Sequence, residues 1–219
     1  MSHHVTLLAS EQPIPVGKIL CLGRNYLDHI RELGNAVPDR PVIFCKPASS
    51  LLKNGGQILL PDYTDDCHHE LELALLVGKT AKNIAEQEAL SHLAGYGVAL
   101  DLTLRDLQAE LKAKGLPWEL AKGFDTSCPV SAFVAADQIS DPDNLNLRLH
   151  INGSLRQSGN TNMMMRPVAQ IVAELSRYYT LEAGDLILTG TPGGVARIAS
   201  GDRLRGEIEG VGVLEVSVA

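Results

Sequence analysis

Three carboxylates stand on two apolar stretches of the sequence. Glu70 and Glu72 lie two residues apart at the start of the run 70–77, and Asp101 ends the run 96–101. Alternation along the first run predicts a β-strand, and its period of two places Glu70 and Glu72 on one face. A lone Glu-x-Glu usually belongs to an edge strand whose side chains face water. A third carboxylate favours the other interpretation, in which a hard cation relieves the repulsion between buried acids.

A histidine and a glutamate share one predicted helix. Residues 25–33 are predicted to be helical with Asn25 as the N-cap, and His29 and Glu32 are three residues apart, so their side chains lie within reach. Spacing alone favours an ordinary surface pair. The loop 34–41 contains one glycine and two prolines, and we expect it to make this helix a movable flap.

A second predicted helix, over 103–114 with Thr103 as its cap, follows Asp101 directly. Its apolar stripe comprises Leu104, Leu107 and Leu111, and its polar face comprises Arg105, Gln108 and Lys112. That polar face can be solvated. Alternatively, Arg105 and Gln108 point back at whatever the carboxylates hold.

The loop 189–194, Thr-Gly-Thr-Pro-Gly-Gly, follows a predicted strand over 186–188. Its backbone N–H groups and hydroxyls suit a small anion, commonly a carboxylate or a phosphate. It lacks the Gly-Lys-Ser/Thr ending of a P-loop, so we do not expect nucleotide binding. Two further cations are Lys46, at the end of a predicted strand over 42–46, and Lys122, in the stretch 120–123. The default interpretation of Lys122 is a solvated surface charge.

Composition restricts the class of protein. With 219 residues, 45% of them hydrophobic and 4% aromatic, the chain can build a sizeable aliphatic core. A net charge of −7 argues against nucleic acid or an anionic membrane as partner. Four scattered cysteines without a Cys-x-x-Cys pair are typical of a reducing cytoplasm. The N-terminus resembles neither a signal nor a transit peptide, so we expect a cytoplasmic protein. Short, regularly spaced strands predict one β-rich domain over 18–219 after an irregular lead-in, 1–17.

Several ordered motifs together resemble the fumarylacetoacetate hydrolase family, from about residue 18 to the C-terminus. They are Gly23-Arg24-Asn25-Tyr26 with His29, His68-His69-Glu70-Leu71-Glu72, Leu100-Asp101, Thr103-x-Arg105-Asp106-x-Gln108, Gly115-Leu116-Pro117-Trp118, Ala121-Lys122 and Thr189-Gly190-Thr191-Pro192-x-Gly194-Val195. The resemblance is greatest to its short members, the acylpyruvases and the oxaloacetate decarboxylases or tautomerases.

The resemblance implies a fold and a set of site residues. The fold is α+β and β-rich, a mixed β-sandwich roll with short peripheral helices, and the chain is expected to form a homodimer. The implied metal ligands are Glu70, Glu72 and Asp101, for Mg²⁺ or Mn²⁺. His29 and Glu32 match the catalytic dyad, and Lys122 matches the active-site lysine. The implied substrate contacts are Arg24, Lys46, Arg105, Gln108 and Thr191.

The resemblance also implies a reaction. The first expectation is hydrolysis of a carbon–carbon bond in small 3-acylpyruvates (2,4-dioxo acids), giving pyruvate and a carboxylic acid, with oxaloacetate decarboxylation as a related activity. His29, oriented by Glu32, would activate water, and Lys122 would stabilise the enolate. The alternatives are a tautomerase, isomerase or decarboxylase of 2-oxo diacids, and a non-catalytic ligand-binding protein. Substrate specificity is expected in the segments 29–40 and 163–166.

Overall fold

The structure, a computed structural model, describes residues 3–8, 10 and 12–219. Its strands in chain order are β1 (His4–Thr6), β2 (Pro13–Pro15), β3 (Lys18–Gly23), β4 (Val42–Pro47), β5 (Leu51–Lys53), β6 (Gln57–Ile58), β7 (Cys67–His68), β8 (Leu71–Val77), β9 (Leu93–Leu100), β10 (Thr103–Leu104), β11 (Cys128–Val130), β12 (Val134–Ala135), β13 (Asn146–Ile151), β14 (Ser154–Asn160), β15 (Leu186–Leu188), β16 (Arg203–Ile208) and β17 (Gly212–Val218). The α-helices are α1 (Leu27–Glu32), α2 (Glu86–Ala89), α3 (Arg105–Ala113), α4 (Glu119–Lys122) and α5 (Val168–Tyr178). Short 3₁₀ turns cover Ala48–Ser50, Leu90–His92, Ala136–Gln138 and Thr161–Met163.

The larger sheet has eight strands of mixed direction. Its order is β4-β3-β15-β8-β9-β11-β5, and β12 pairs with β9 beside β11. Strand β8 lies in the middle, antiparallel to both β15 and β9, and all seven of its residues are buried. Leu71, Leu73, Leu75 and Val77 enter one apolar cluster, whereas Ala74 and Leu76 enter another on the opposite face. The predicted alternation is confirmed, and a strand covered on both faces takes its carboxylates into the interior.

A five-stranded sheet, in the order β14-β13-β16-β17-β6, packs on the face of β8 that carries Leu71. The two sheets approach closely at Gly206, where an added Cβ would lie 2.6 Å from Leu71 Cδ1 and 3.5 Å from Val98 Cγ1. The turn Asn152-Gly153 between two short stretches of strand pattern predicts the hairpin that β13 and β14 form, and alternation over 202–218 predicts the pair β16–β17. The short helices lie around these sheets, and the predicted α+β sandwich roll is confirmed.

Two predicted helix caps are wrong, and in both cases a tertiary partner explains the difference. Asn25 lies before α1, and its side chain donates to the carbonyls of Thr189 (2.9 Å) and Arg166 (3.1 Å). Thr103 is not a cap, because β10 pairs with β7 and α3 begins two residues later. The ends of helices are where such long-range bonds most easily override local propensity.

The N-terminal segment is more ordered than the predicted irregular lead-in. Within its described residues, β1 pairs with β2 in antiparallel register, with Val5 opposite Ile14. Val5 and Val16 are buried against the face of the large sheet that carries Ala74.

All four cysteines are free thiols. No helix in the described part of the chain is long and apolar enough to cross a bilayer.

Candidate metal centre and active-site cavity

The three predicted carboxylates meet at one end of the β8–β9 pair. Leu71 lies opposite Leu100 in this antiparallel register, and the Asp101 N–H donates to the Glu70 carbonyl at 2.8 Å. Glu70, Glu72 and Asp101 therefore present oxygen atoms within 4.8 Å of one another. Their exposures are 5%, 2% and 1%, so water does not screen their mutual repulsion.

Cations compensate part of this negative charge. Lys122 Nζ lies 2.9 Å from Glu70 Oε2 and 2.7 Å from Asp101 Oδ2, and Arg105 forms an ion pair with Glu70 Oε1. Burial alone would raise the pKa of Glu70, but Lys122 and Arg105 outweigh it and hold that pKa well below its usual value. Burial would likewise lower the pKa of Lys122, but Asp101 and Glu70 raise it above the usual value, so the ammonium stays charged.

Glu72 and Asp101 accept fewer hydrogen bonds than Glu70, whose two oxygens contact Arg105 and Lys122. Glu72 accepts a hydrogen bond from Gly190 N–H at 2.6 Å, yet burial, Asp101 and Glu70 raise the pKa of Glu72 well above its usual value. Asp101 Oδ1 is buried and accepts no hydrogen bond. Clustered carboxylate oxygens with an orphaned acceptor match the hard ligands that Mg²⁺ and Mn²⁺ take. Glu70, Glu72 and Asp101 thus fit a divalent cation.

Lys46 was expected to contact the substrate, but the structure places it outside the lining of the cavity. Its Nζ is fully buried and lies 2.9 Å from Asp101 Oδ1. The ammonium donates to the carbonyls of Leu102, Lys122 and Ser127 and to the Ser127 hydroxyl. Lys46 does not line the cavity; it supports the carboxylate and the lysine that do.

His29 and Glu32 lie beside the carboxylates on α1. His29 Nε2 is 4.0 Å from Glu70 Oε1, and its Nδ1 is 3.6 Å from Glu32 Oε2 without a hydrogen bond. Glu32 instead accepts from Gly194 N–H at 3.0 and 3.1 Å. Burial lowers the pKa of His29, so the neutral imidazole, which can accept a proton, is favoured. The two residues of the predicted dyad are therefore neighbours, but no hydrogen bond joins their side chains.

The cavity has a volume of about 200 Å³. Predicted site residues that line it are Arg24, His29, Glu70, Glu72, Asp101, Arg105, Gln108, Lys122 and Thr191. The face of α3 predicted to be polar therefore faces this site, and Arg105 donates to Gln108 at 2.8 Å. Lining residues that were not predicted as site residues include Asn35, Phe44, Lys112 and Trp118. Lys122 Nζ lies 4.7 Å from the centre of the Phe44 ring, which adds a cation–π contact.

The loop 189–194 binds carboxylates, but those of the protein itself. Gly190 N–H holds Glu72 and Gly194 N–H holds Glu32. The Thr191 hydroxyl donates to the Leu71 carbonyl at 2.8 Å and accepts from Gln157 Nε2 at 2.8 Å. The loop is therefore tied to both groups of predicted site residues.

Gln157 supports this loop, and sequence reasoning missed it. Its Oε1 accepts from Leu71 N–H at 3.0 Å, so the His69 Nδ1 that lies 2.9 Å away must carry the hydrogen. Its Nε2 also donates to the Pro192 carbonyl at 3.0 Å. A glutamine inside a predicted hairpin gives no sequence signal of such a role.

The comparisons with known proteins agree with this geometry. The family model described as fumarylacetoacetate (FAA) hydrolase, C-terminal, matches residues 18–219, and the chain belongs to that family. It is 49% identical over 193 residues to the Bos taurus protein named oxaloacetate tautomerase FAHD1, mitochondrial, covering 88% of this chain and 87% of that protein. It is 47% identical over 197 residues to Escherichia coli (strain K12) oxaloacetate tautomerase YcgM, covering 90% of each.

A solved structure is similar over the entire chain. The fumarylpyruvate hydrolase of Pseudomonas aeruginosa, in complex with Mn²⁺ and pyruvate, matches with a TM-score of 0.96 and 37% identity, covering 100% of this chain and 96% of that one. These relatives share a family but differ in their named activities: two are tautomerases and one is a hydrolase. The Mn²⁺ in the hydrolase structure and the acidic cluster of this chain together support a divalent-metal site.

Proposed function

We propose that this chain is a divalent-metal-dependent enzyme that interconverts the keto and enol forms of small 2-oxo acids of the oxaloacetate type. The observation that carries the proposal is the buried imidazole of His29, whose Nε2 lies 4.0 Å from Glu70 Oε1 at the edge of the carboxylate cluster. Burial lowers the pKa of His29, which favours the neutral form that can accept a proton. Identities of 49% and 47% to two oxaloacetate tautomerases support this reaction over the hydrolysis expected first.

The chain's own residues supply the proton transfer and the charge stabilisation. A bound Mg²⁺ or Mn²⁺ would act as a Lewis acid that stabilises negative charge on the 2-oxo oxygen. Neutral His29 takes a proton from the carbon next to that carbonyl, and the same proton, carried by the imidazolium, can return to the oxygen to give the enol. Lys122 stays an ammonium and stabilises the enolate charge, an effect worth about 3 kcal/mol for a well-placed donor.

Hydrolysis is the second candidate because of Glu32. Its Oε2 lies 3.6 Å from His29 Nδ1, and a small shift of α1 would close that gap. With Nδ1–H held by Glu32, His29 would take a proton from water, the resulting hydroxide would attack the distal carbonyl of a 2,4-dioxo acid, and the carbon–carbon bond would break to a carboxylic acid and a pyruvate enolate. The Pseudomonas aeruginosa relative is named a fumarylpyruvate hydrolase, which supports this candidate.

The test measures two reactions on the Mg²⁺-loaded protein. Enol-to-keto conversion of oxaloacetate is followed by ultraviolet absorbance, and pyruvate release from acetylpyruvate by a coupled dehydrogenase. We compare wild type, His29→Ala and Glu32→Gln, with His150→Ala in the five-stranded sheet as a control outside the cavity. Tautomerisation lost in His29→Ala but retained in Glu32→Gln supports the first candidate. Acetylpyruvate cleavage that needs both residues supports the second. Absence of both reactions in the wild type contradicts both.

A further inference from the structure

We propose that Arg24, Asn35 and Lys112 form a subsite for a second carboxylate, so the preferred substrates are 2-oxo acids with a charged distal end. The inference deepens the proposed function and rests on it. Arg24 Nη2 and Lys112 Nζ both donate to one atom, Asn35 Oδ1, at 3.1 and 2.8 Å. No carboxylate among the described residues forms an ion pair with Arg24 or Lys112. Two cations that share one neutral oxygen leave charge for an anion to compensate.

Helix α3 separates Lys112 from the residue that contacts the carboxylate cluster. Arg105, at the first position of α3, pairs with Glu70, whereas Lys112 lies two turns further along the same face. Seven residues of helix correspond to a rise of about 10 Å, and long helical side chains lean back toward the N-terminus, which shortens the span between the two charges. A 2-oxo acid bound by its carboxylate and 2-oxo oxygen at Glu70, Glu72 and Asp101 would extend its other end along this face.

The electrostatics favour a charged rather than a neutral tail. Burial lowers the pKa of Lys112, and the positive charges of Arg24 and Arg105 lower it further, because like charges repel. A neutral acyl group would leave that repulsion in place. A carboxylate would accept hydrogen bonds from the guanidinium and the ammonium together, and the planar guanidinium suits it geometrically.

The backbone at Arg24 supplies an independent observation. Its φ is +58°, in the left-handed region that favours glycine and costs a side-chain-bearing residue roughly 1 kcal/mol or more. Arginine gains nothing in backbone energy there, but from this position its side chain lines the cavity. Arg24→Gly would therefore remove the cation and relieve the strained backbone, so a loss of diacid binding in that variant cannot be attributed to lost stability.

The competing interpretation is that Asn35 only fastens the segment 34–41 to α3. In that case Lys112→Met and Arg24→Gly would change the affinity for all ligands equally, because they would act through the closure of the cavity. A matched pair of stable probes separates the two interpretations. 2-Oxoglutarate and 2-oxopentanoate have five carbons each and differ only in a terminal carboxylate against a methyl group.

The experiment is isothermal titration of the Mg²⁺-loaded full chain with each probe. Wild type should bind 2-oxoglutarate at least tenfold more tightly than 2-oxopentanoate. Lys112→Met and Arg24→Gly should each weaken the binding of 2-oxoglutarate about tenfold or more, in line with one lost charge-assisted bond. The affinity for 2-oxopentanoate should change less than about twofold in both variants. The control is Lys114→Met on the same helix, where the lysine is exposed and pairs with Glu110.

The subsite is overturned if the wild type binds the two probes equally. It is also overturned if the variants lose affinity for both probes to the same extent. The outcome is independent of turnover. If the protein prefers the diacid but converts neither oxaloacetate nor acetylpyruvate, the result supports the subsite and contradicts the proposed function. If it tautomerises oxaloacetate but binds the two probes equally, the result supports the proposed function and contradicts the subsite.

Discussion

Lys46 Nζ lies 2.9 Å from Asp101 Oδ1 and donates to three backbone carbonyls and to the Ser127 hydroxyl. The ammonium thus balances the charge of Asp101, whose Oδ1 accepts no hydrogen bond from the described residues. It also holds the carbonyl of Lys122, so one buried side chain fixes two of the groups that face the substrate. This relationship places Lys46 among the supporting residues.

Replacing Lys46 should destabilise the fold strongly. Lys46→Met leaves three carbonyls and Asp101 without their buried partner, and loss of one member of such a buried pair costs about 3–5 kcal/mol. Urea unfolding of the metal-free protein measures the change, with the exposed Lys79→Met as the control. A decrease below about 1 kcal/mol would show that Lys46 is not held as described.

Metal should stabilise the protein through Glu72. Mg²⁺ at a hundredfold excess over its Kd adds about 2.7 kcal/mol to the free energy of unfolding, which a thermal melt registers as a higher Tm. Glu72→Gln should abolish that increase. The metal-free variant should melt no lower than the metal-free wild type, because the substitution removes repulsion from Asp101 and Glu70 and keeps an acceptor for Gly190 N–H.

The exposed Glu110→Gln serves as the control for Glu72→Gln and should respond to Mg²⁺ as the wild type does. A Glu72→Gln protein that still gains stability from Mg²⁺, or that keeps its turnover after treatment with a chelator, would contradict a metal site at this cluster.

Lys122 should matter for turnover more than for metal binding. Lys122→Met removes the ammonium that lies 2.7 Å from Asp101, and kcat should fall about a hundredfold, as for a lost donor to developing charge. The uncompensated charge on Glu70 and Asp101 should make the metal-free variant less stable and its Mg²⁺-induced rise in Tm larger than that of the wild type. Kinetics and paired melts measure the two effects, and a smaller rise in Tm would argue against this assignment.

Gln157 should affect the site although it lies outside the cavity lining. Gln157→Met leaves the Leu71 N–H and the Pro192 carbonyl unsatisfied in a buried setting, at a cost of about 1–3 kcal/mol. It also frees the Thr191 hydroxyl from one of its two partners, so kcat should fall while the charges at the metal cluster stay unchanged. The exposed Gln138→Met provides the control in both assays. Unchanged stability would show that the network around Gln157 is not formed.

Local patterns predicted the elements well and their ends less well. The strand 71–77, the hairpin near 152–153 and the final strand pair follow from period-two alternation and turn residues, which act within a few positions. Asn25 and Thr103 failed as caps because their partners, Thr189 and His68, lie far away in sequence or in a neighbouring strand. No local pattern encodes such partners.

The residues of the candidate site also divide into those that a local pattern predicts and those whose partners only the fold brings close. Glu70, Glu72 and Asp101 could be predicted because three acids on apolar strands need a common explanation. Lys46 and Asn35 could not be placed, since a lone lysine or asparagine carries no signal of depth or of its partner. The pairing of Asn35 with Lys112 joins residues 77 positions apart, and only the assembled fold brings them together.

The parallel pairing of β3 with β15 makes the site depend on both ends of the sequence. Ile19 pairs with Leu186, and Lys18 bonds to Asp185 across 167 residues of chain. Strand β15 also pairs with β8, and the loop that follows it brings Gly190 N–H to Glu72. A chain cut before β15 would keep Glu70, Glu72 and Asp101 on the β8–β9 pair but would lose the loop that contacts them.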